Sequence, residues 1–296
     1  MPVDPLFDVK NAYYIGNYQG CINEAQRIKT DDINQKKDLD VFIYRAYISL
    51  KKYALVLDEL ERYSGPDEVR DLRLLAKFLS AEPQARVPIC EELEKKLSAF
   101  SSKNETLLLV GATIYMHQGD ITGALKVLSN CSSLESMALS LQCYILLDRL
   151  DLATQELNMM ISRDEDASLT QLSSGWLHLR TGGDKLQEAF YIFTEMADKN
   201  TKTPLLAVGL ASVLIAQGKY EEADQCLAES LEKDPNHVET LINQIVISQF
   251  LGKGPDVCAR LLSQLKTSHC HHPFVREIQG KEQEFEKLCR AFSEMD

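Results

Sequence analysis

The chain has 296 residues, 45% of them hydrophobic and 26% charged, a composition that supports a folded core and excludes wholesale disorder. Acidic residues number 44 against 32 lysines and arginines, giving a formal charge of -12 without a basic patch, so direct binding to nucleic acid or to an anionic membrane surface is disfavoured. The start shows no signal-peptide pattern, and the longest apolar run, residues 205–216, falls short of the roughly 20 residues of a membrane span. We therefore expect a soluble, intracellular protein.

From the N-terminus onward the sequence repeats at a period of about 34 residues, which is typical of helical solenoids. The repeat can be anchored at eight positions, Tyr18, Tyr53, Val87, Ile121, Leu150, Leu186, Tyr220 and Gly254. Three residues after each anchor stands a small or β-branched residue: Cys21, Val56, Cys90, Ala124, Ala153, Ala189, Ala223 and Val257. Because antiparallel helices approach closely only where side chains are small, this column predicts eight crossing points of paired helices.

Glycines stand two residues before four of the anchors, at Gly16, Gly119, Gly218 and Gly252. A tight turn between helices needs a residue that tolerates a positive φ, so these glycines predict the turns within the helix pairs. The stretch AQGKYEEADQCL, residues 216–227, shows the whole pattern and resembles the tetratricopeptide repeat.

The predicted fold is all-α: a tetratricopeptide-like, right-handed α-solenoid of about eight helix pairs with a C-terminal capping helix. The repeat array spans residues 1–268, and residues 269–296 belong to the same domain, with a final helix over 273–293 whose charged face covers the last repeat. Two softer joints are predicted at residues 29–38 and 100–106.

In a tetratricopeptide solenoid the first helix of each pair lines the concave face. Counting back from the anchors identifies the inward-facing positions of the first helices, which form the inner wall of the solenoid. The residues at these positions are largely apolar, and Glu82 is an exception. The predicted partner-binding residues are Leu6, Tyr13, Tyr14, Val41, Arg45, Ile48, Leu75, Leu79, Leu109, Thr113, Met116, Gln142, Ile145 and His178. Exposed apolar area forgoes roughly 25 cal/mol per Å², so the wall favours permanent enclosure of an extended or hairpin segment of another polypeptide. The open alternative is a tight superhelix whose side chains pack on each other.

Other functions find less support in the residues. A clamp for a partner's C-terminal carboxylate needs several basic residues in the groove, and only Lys10 and Arg45 are assigned there. The chain lacks the phosphate-loop, zinc-protease, hydrolase and dinucleotide motifs, and Thr181-Gly182-Gly183-Asp184 falls in a predicted turn. Residues 269–272, HCHH, cannot all face one ion and are interpreted as a polar connector. No enzyme activity, cofactor or metal is predicted. Most of the eight scattered cysteines are expected to be reduced, and several of them to be small packing residues.

Long segments of the chain resemble the epsilon subunit of coatomer, the coat of COPI vesicles. These segments are residues 6–26, 40–60, 147–160, 164–172, 182–199 and 272–288, beginning with LFDVKNAYYIGNYQGCINEAQ. The resemblance implies a non-catalytic cytoplasmic coat component that associates peripherally with Golgi membranes and supports retrograde transport from the Golgi to the endoplasmic reticulum. It also implies that the repeats bind the C-terminal domain of the coatomer alpha subunit and contact other coatomer subunits indirectly. The alternative is a tetratricopeptide co-chaperone or another peptide-binding adaptor.

Overall fold

The computed structural model describes residues 4–98 and 104–293, and every regular element within those ranges is helical. The α-helices are α1 (Phe7–Tyr14), α2 (Tyr18–Arg27), α3 (Ile33–Ser49), α4 (Tyr53–Arg62), α5 (Asp67–Ser80), α6 (Val87–Ser98), α7 (Glu105–Gln118), α8 (Ile121–Leu128), α9 (Leu134–Leu146), α10 (Leu150–Arg163), α11 (Ser168–Thr181), α12 (Lys185–Lys199), α13 (Pro204–Ala216), α14 (Tyr220–Lys233), α15 (Val238–Phe250), α16 (Pro255–Ser268) and α17 (Pro273–Ser293). In the described part of the chain no helix is long and apolar enough to cross a bilayer.

The helices up to α16 form eight successive pairs, in which odd-numbered helices come first, and this confirms the predicted repeat. Six of the second helices begin at the predicted anchor itself, and α12 and α16 begin one residue away, at Lys185 and Pro255. Helices of the same pair pack against each other in, for example, the pairs α9 with α10 and α13 with α14. The period of the sequence therefore predicts where every second helix begins to within one residue.

Most of the column of small residues is buried where the helices cross. Six of its side chains have no exposed surface: Cys21, Val56, Ala124, Ala153, Ala189 and Ala223. Cys90 and Val257 are half-buried. A larger side chain at any of the six positions would push the packed helices apart, because the side chain is fully enclosed and cannot extend into solvent.

Turns between paired helices use a residue with positive φ at the predicted position. The four predicted glycines adopt it, with φ between 63° at Gly252 and 84° at Gly16. Lys51 and Asp148 occupy the same turn position with φ of 59° and 58°, which the sequence did not reveal because both are L-residues with a side chain. A positive φ at this turn position is thus not restricted to glycine.

Two local predictions need correction. A short 3-10 helix, Pro83–Arg86, follows α5, so Glu82 lies in the connection and not on the inner face of a first helix. The joint predicted at residues 29–38 is shorter, since α3 already begins at Ile33. Most of the joint predicted at residues 100–106 lies outside the described residues; the next helix, α7, begins at Glu105.

The chain forms two compact units, unit 1 (Met1–Ile192) and unit 2 (Phe193–Asp296). Unit 1 contains several clusters of buried apolar side chains, the largest around Leu72, Leu74 and Phe78. In unit 2, buried side chains of α15 and α16 pack with Val275 of α17. That the two units belong to one domain stays a prediction.

The C-terminal helix begins and ends at the predicted residues, Pro273 and Ser293, but only its first part packs on the preceding pair. Val275 has no exposed surface, and Lys266 Nζ lies 2.7 Å from Glu282 Oε2. Residues 281–292 are exposed on every side, including Phe285 at 68%, Leu288 at 58% and Phe292 at 69%. The apolar face of α17 therefore continues beyond the part that the last repeat covers.

Candidate partner-binding surface

The first helices of unit 1 line two adjoining cavities. The charged cavity, with a volume of about 520 Å³, lies near the N-terminal ends of α5, α7, α9 and α11 and beside α1 and α3. The apolar cavity, with a volume of about 310 Å³, lies farther along α3, α5 and α7. Arg45, Thr106 and Leu109 line both cavities, which together are called the hollow below.

Nine of the fourteen predicted partner-binding residues line the hollow: Tyr13, Tyr14, Val41, Arg45, Ile48, Leu75, Leu79, Leu109 and Thr113. Val41, Ile48 and Leu109 are no more than 7% exposed, so most of their surface already packs against the chain itself. The other six are half-buried and present part of their side chains to the hollow. Partner binding by these residues stays a prediction.

The remaining five predicted residues lie elsewhere in unit 1. Leu6 is 3% exposed and belongs to the core around α1 and α2. Met116 packs beside α8, and Ile145 packs at the junction of α9 and α10. Gln142 is exposed on α9 and lines neither cavity. The structure does not bring these side chains to the hollow.

His178 also lies outside the hollow, on α11. Its Nδ1 is buried without a hydrogen-bond partner among the described residues and lies 3.6 Å from Glu188 Oε2 on α12. Burial lowers the pKa of His178, and the nearby carboxylate of Glu188 opposes this effect. The imidazole is therefore mainly neutral at neutral pH and lies next to the Glu188 carboxylate.

An ion pair crosses the hollow between α3 and α9. Arg45 Nη1 donates to Glu135 Oε2 at 3.1 Å, and Nη2 contacts the other carboxylate oxygen, giving the bidentate geometry that strengthens such pairs. Little of either side chain is exposed, 16% for Arg45 and 15% for Glu135. Burial disfavours the charge on Arg45, but Glu135, together with Tyr13 and Tyr14, outweighs this effect and raises the Arg45 pKa above its usual range.

Aromatic residues of α1 and α3 complete the surroundings of this pair. The Tyr14 hydroxyl donates to Glu135 Oε2 at 3.3 Å, and burial together with the Glu135 charge raises the pKa of Tyr14. The Arg45 guanidinium lies 4.7 Å from the centre of the Tyr13 ring and 5.4 Å from that of Phe42. Stacking on aromatic faces and a bidentate carboxylate hold the guanidinium in one place.

The position of Glu135 follows from the local structure of α9. Ser133 caps this helix by accepting the Ser136 amide at 3.1 Å, which places Glu135 in the first turn. The partial positive charge of a helix N-terminus favours a carboxylate there. The same carboxylate then faces across the hollow toward Arg45.

A second contact closes unit 1 on itself. Helix α1 packs against α11, and Ser168 Oγ donates to Asn11 Oδ1 across a sequence separation of 157 residues. Side chains thus pack across the hollow, as the tight-superhelix alternative requires. The two cavities nevertheless stay open beside these contacts, as the enclosure hypothesis requires.

Both basic residues proposed for a carboxylate clamp are engaged within the chain. Lys10 Nζ lies 2.7 Å from Asp4 Oδ2, and Arg45 binds Glu135. The glycines of the Thr181–Asp184 segment form the turn before α12, with positive φ at Gly182 and Gly183. Residues 269–272 connect α16 to α17, and within residues 4–98 and 104–293 no group of His, Cys, Asp or Glu could hold a metal ion.

Sequence reasoning missed several residues that shape the hollow, above all Glu135, Asn11, Ser168 and Phe42. The available signal was Ser133, a residue type that favours the N-cap of a helix. It predicts where α9 begins but not which part of the fold its first turn faces. Glu135 reaches Arg45 only because the intervening helix pairs bring α9 opposite α3. No local pattern encodes that meeting.

Comparison with known proteins gives one consistent family. The family model described as coatomer epsilon subunit matches residues 2–293. Coatomer subunit epsilon-1 of Arabidopsis thaliana is 35% identical over 98% of both chains, and coatomer subunit epsilon of Caenorhabditis elegans is 32% identical over 96% of this chain and 97% of its own length.

Solved structures agree on the fold. A tetratricopeptide repeat protein from Parabacteroides merdae superposes with a TM-score of 0.60 at 15% identity, covering 88% of this chain and 96% of that one. The anaphase-promoting complex hetero-tetramer Cut9–Hcn1 gives a TM-score of 0.61 at 12% identity, covering 92% of this chain and 54% of that one. At such identities the likeness shows the fold alone, and it confirms the predicted tetratricopeptide class.

Proposed function

The chain belongs to the coatomer epsilon subunit family, and from this premise we propose that it is a non-catalytic structural subunit of the COPI coat that binds the C-terminal domain of the alpha subunit. The hollow of unit 1 is the proposed binding surface. A segment of the alpha subunit enters it, and both partners bury apolar surface.

The observation that carries this proposal is the hollow itself. Half-buried Leu75, Leu79 and Tyr13 line the apolar cavity, whose volume of about 310 Å³ is large enough for side chains of an inserted segment. Filling it removes apolar area from water at roughly 25 cal/mol per Å². Permanent complexes commonly bury about 2,000 Å² or more, so the hollow supplies the centre of a larger contact.

The finer biological assignment rests on the family. As a coat component the chain takes part in retrograde transport from the Golgi to the endoplasmic reticulum, is peripherally associated with Golgi and vesicle membranes, and contacts further coatomer subunits through alpha. Binding to the folded form also raises the stability of both partners by mass action. The isolated chain is therefore expected to melt at a lower temperature than the complex.

The test is affinity purification of the tagged chain at endogenous level. We expect the alpha subunit in equal amount with the wild-type chain, and a large loss with the double variant Leu75→Glu and Leu79→Glu, which puts two charges into the apolar cavity. The control is Leu55→Glu, which adds one carboxylate at a leucine that is 42% exposed and lines neither cavity. Far-UV circular dichroism separates lost binding from lost helicity.

Two outcomes would overturn the proposal. Either the wild-type chain fails to retain alpha, or the double variant keeps its helicity and retains alpha as well as Leu55→Glu does. The adaptor alternative, in which the groove clamps a free C-terminal carboxylate, has less support because Lys10 and Arg45 are already paired with carboxylates.

A further inference from the structure

The two halves of the hollow differ in charge. The lining of the charged cavity contains six carboxylates and three cations: Asp4, Asp38, Glu68, Glu105, Glu135 and Asp164 against Lys10, Lys37 and Arg45. The lining of the apolar cavity contains no carboxylate and is made largely of leucine, isoleucine, valine and tyrosine, with Arg45, Lys51 and His117 as its basic members. A single occupant of the hollow therefore meets two different environments.

All three cations of the charged cavity are already engaged. Lys10 pairs with Asp4 and Arg45 with Glu135. Lys37 Nζ lies between two carboxylates, 3.9 Å from Asp38 Oδ1 and 3.8 Å from Glu68 Oε1. The lining is thus left with excess negative charge.

Glu105 and Asp164 carry that excess most directly. Both are exposed, and neither forms an ion pair with another described residue. Glu105 stands in the first turn of α7, and Asp164 directly follows α10, in the connection that leads to α11. Both carboxylates line the charged cavity. The α7 terminus offsets part of the Glu105 charge, but a helix dipole amounts to only about half an elementary charge.

We propose that the segment entering the hollow carries lysine or arginine side chains beside apolar ones, with the basic side chains placed at Glu105 and Asp164 and the apolar ones in the apolar cavity. This inference rests on the proposed function, since it describes the segment of the alpha subunit that the hollow holds. It sets the direction of insertion as well, because only one orientation matches both cavities.

The physical reason is the cost of covering unpaired carboxylates. A neutral or apolar segment laid over Glu105 and Asp164 would strip water from both charges without replacing it, and an acidic segment would add repulsion. A basic side chain restores the lost interaction and steers the encounter through the negative field. The apolar cavity requires no such compensation, so it accepts leucine-like side chains.

The experiment uses isothermal titration calorimetry to measure the affinity of the full chain for the purified C-terminal domain of alpha, from about 50 to about 500 mM NaCl. The test variant is the double substitution Glu105→Lys and Asp164→Lys. The control is Glu91→Lys with Glu229→Lys, two exposed positions that line neither cavity and give the same net charge as the test variant. Circular dichroism establishes that both variants fold.

We expect wild-type affinity to fall as salt is raised. At low salt the test variant should bind about tenfold more weakly than the control, and its affinity should depend less on salt. The reason is that the charge lining the hollow, and not the net charge of the chain, determines the affinity. A folded test variant that matches the control in affinity and salt slope would overturn this inference while leaving the proposed function standing. Absence of wild-type binding would instead overturn the proposed function.

Discussion

The two units use the same helix-pair register but differ in the contacts that hold each of them together internally. In unit 1, side-chain contacts join residues far apart in sequence, as Arg45 and Glu135 do across 90 positions. In unit 2, contacts such as Lys253 with Asp224 and Lys266 with Glu282 join neighbouring helix pairs or adjacent helices. A repeat array held only by neighbours behaves nearly one-dimensionally, whereas contacts across a hollow couple distant repeats. Unit 1 is therefore expected to unfold more cooperatively.

The sharpest way to break this comparison is to remove one carboxylate from each unit. Glu135→Ala leaves the buried Arg45 guanidinium without its partner and is expected to cost about 3 kcal/mol of unfolding free energy. Asp224→Ala breaks the pair of Asp224 and Lys253, whose side chains are 26% and 31% exposed, and should cost about 1 kcal/mol. Urea denaturation measures both values. Equal losses would mean that the cross-hollow pair gives unit 1 no special coupling.

A second comparison concerns the helix crossings, where the two units should respond alike. Ala153→Leu in unit 1 and Ala223→Leu in unit 2 each overpack a position with no exposed surface, and each should cost about 1 to 3 kcal/mol. Ala228→Leu serves as the control, because Ala228 is exposed on the same helix as Ala223. An unchanged melting temperature for Ala223→Leu would contradict the assigned crossing point.

Substitutions at two turn positions should change the stability by smaller amounts, one lowering it and the other raising it. Gly119 has φ of 82°, and no atom lies within 4 Å of the place that an added methyl group would take, so Gly119→Ala should cost about 1 kcal/mol through backbone strain alone. Lys51→Gly relieves similar strain but increases the freedom of the unfolded chain, so a gain of at most about 0.5 kcal/mol is expected. Thermal unfolding of the two variants in parallel would show whether replacing a turn glycine lowers the melting temperature while introducing one raises it.

The smallest expected effect is a pH dependence from His178. Burial lowers the pKa of His178 below 6.5 in the folded chain, so the unfolded chain takes up the proton first as the pH falls. The neutral imidazole therefore adds stability above about pH 6.5, and this contribution is lost as the pH falls through the folded pKa. His178→Gln should reduce the drop in melting temperature between about pH 7.5 and about pH 5.5. An identical drop in the variant would show that His178 does not contribute to the pH dependence of stability.

The sequence predicted what is local and periodic. Helix starts, crossing residues such as Ala223 and turns such as Gly218 follow from spacing, and the structure places them as predicted. Contacts such as that of Arg45 with Glu135 depend on the rotation accumulated over several pairs, which no single spacing encodes. Glu82 was misplaced for a related reason, because the 3-10 turn after α5 lengthens one connection without disturbing the period of the anchors.

The buried crossing column has a consequence for how this chain tolerates changes of length. One residue inserted within a paired helix would turn every later side chain by about 100° and carry the small residue off its crossing. The spacing of the anchors nonetheless varies, and the shortest interval, from Ile121 to Leu150, coincides with the short helix α8 of eight residues. Gains and losses of sequence are thus absorbed at helix ends, so whole pairs are the natural modules for deleting or grafting parts of this molecule.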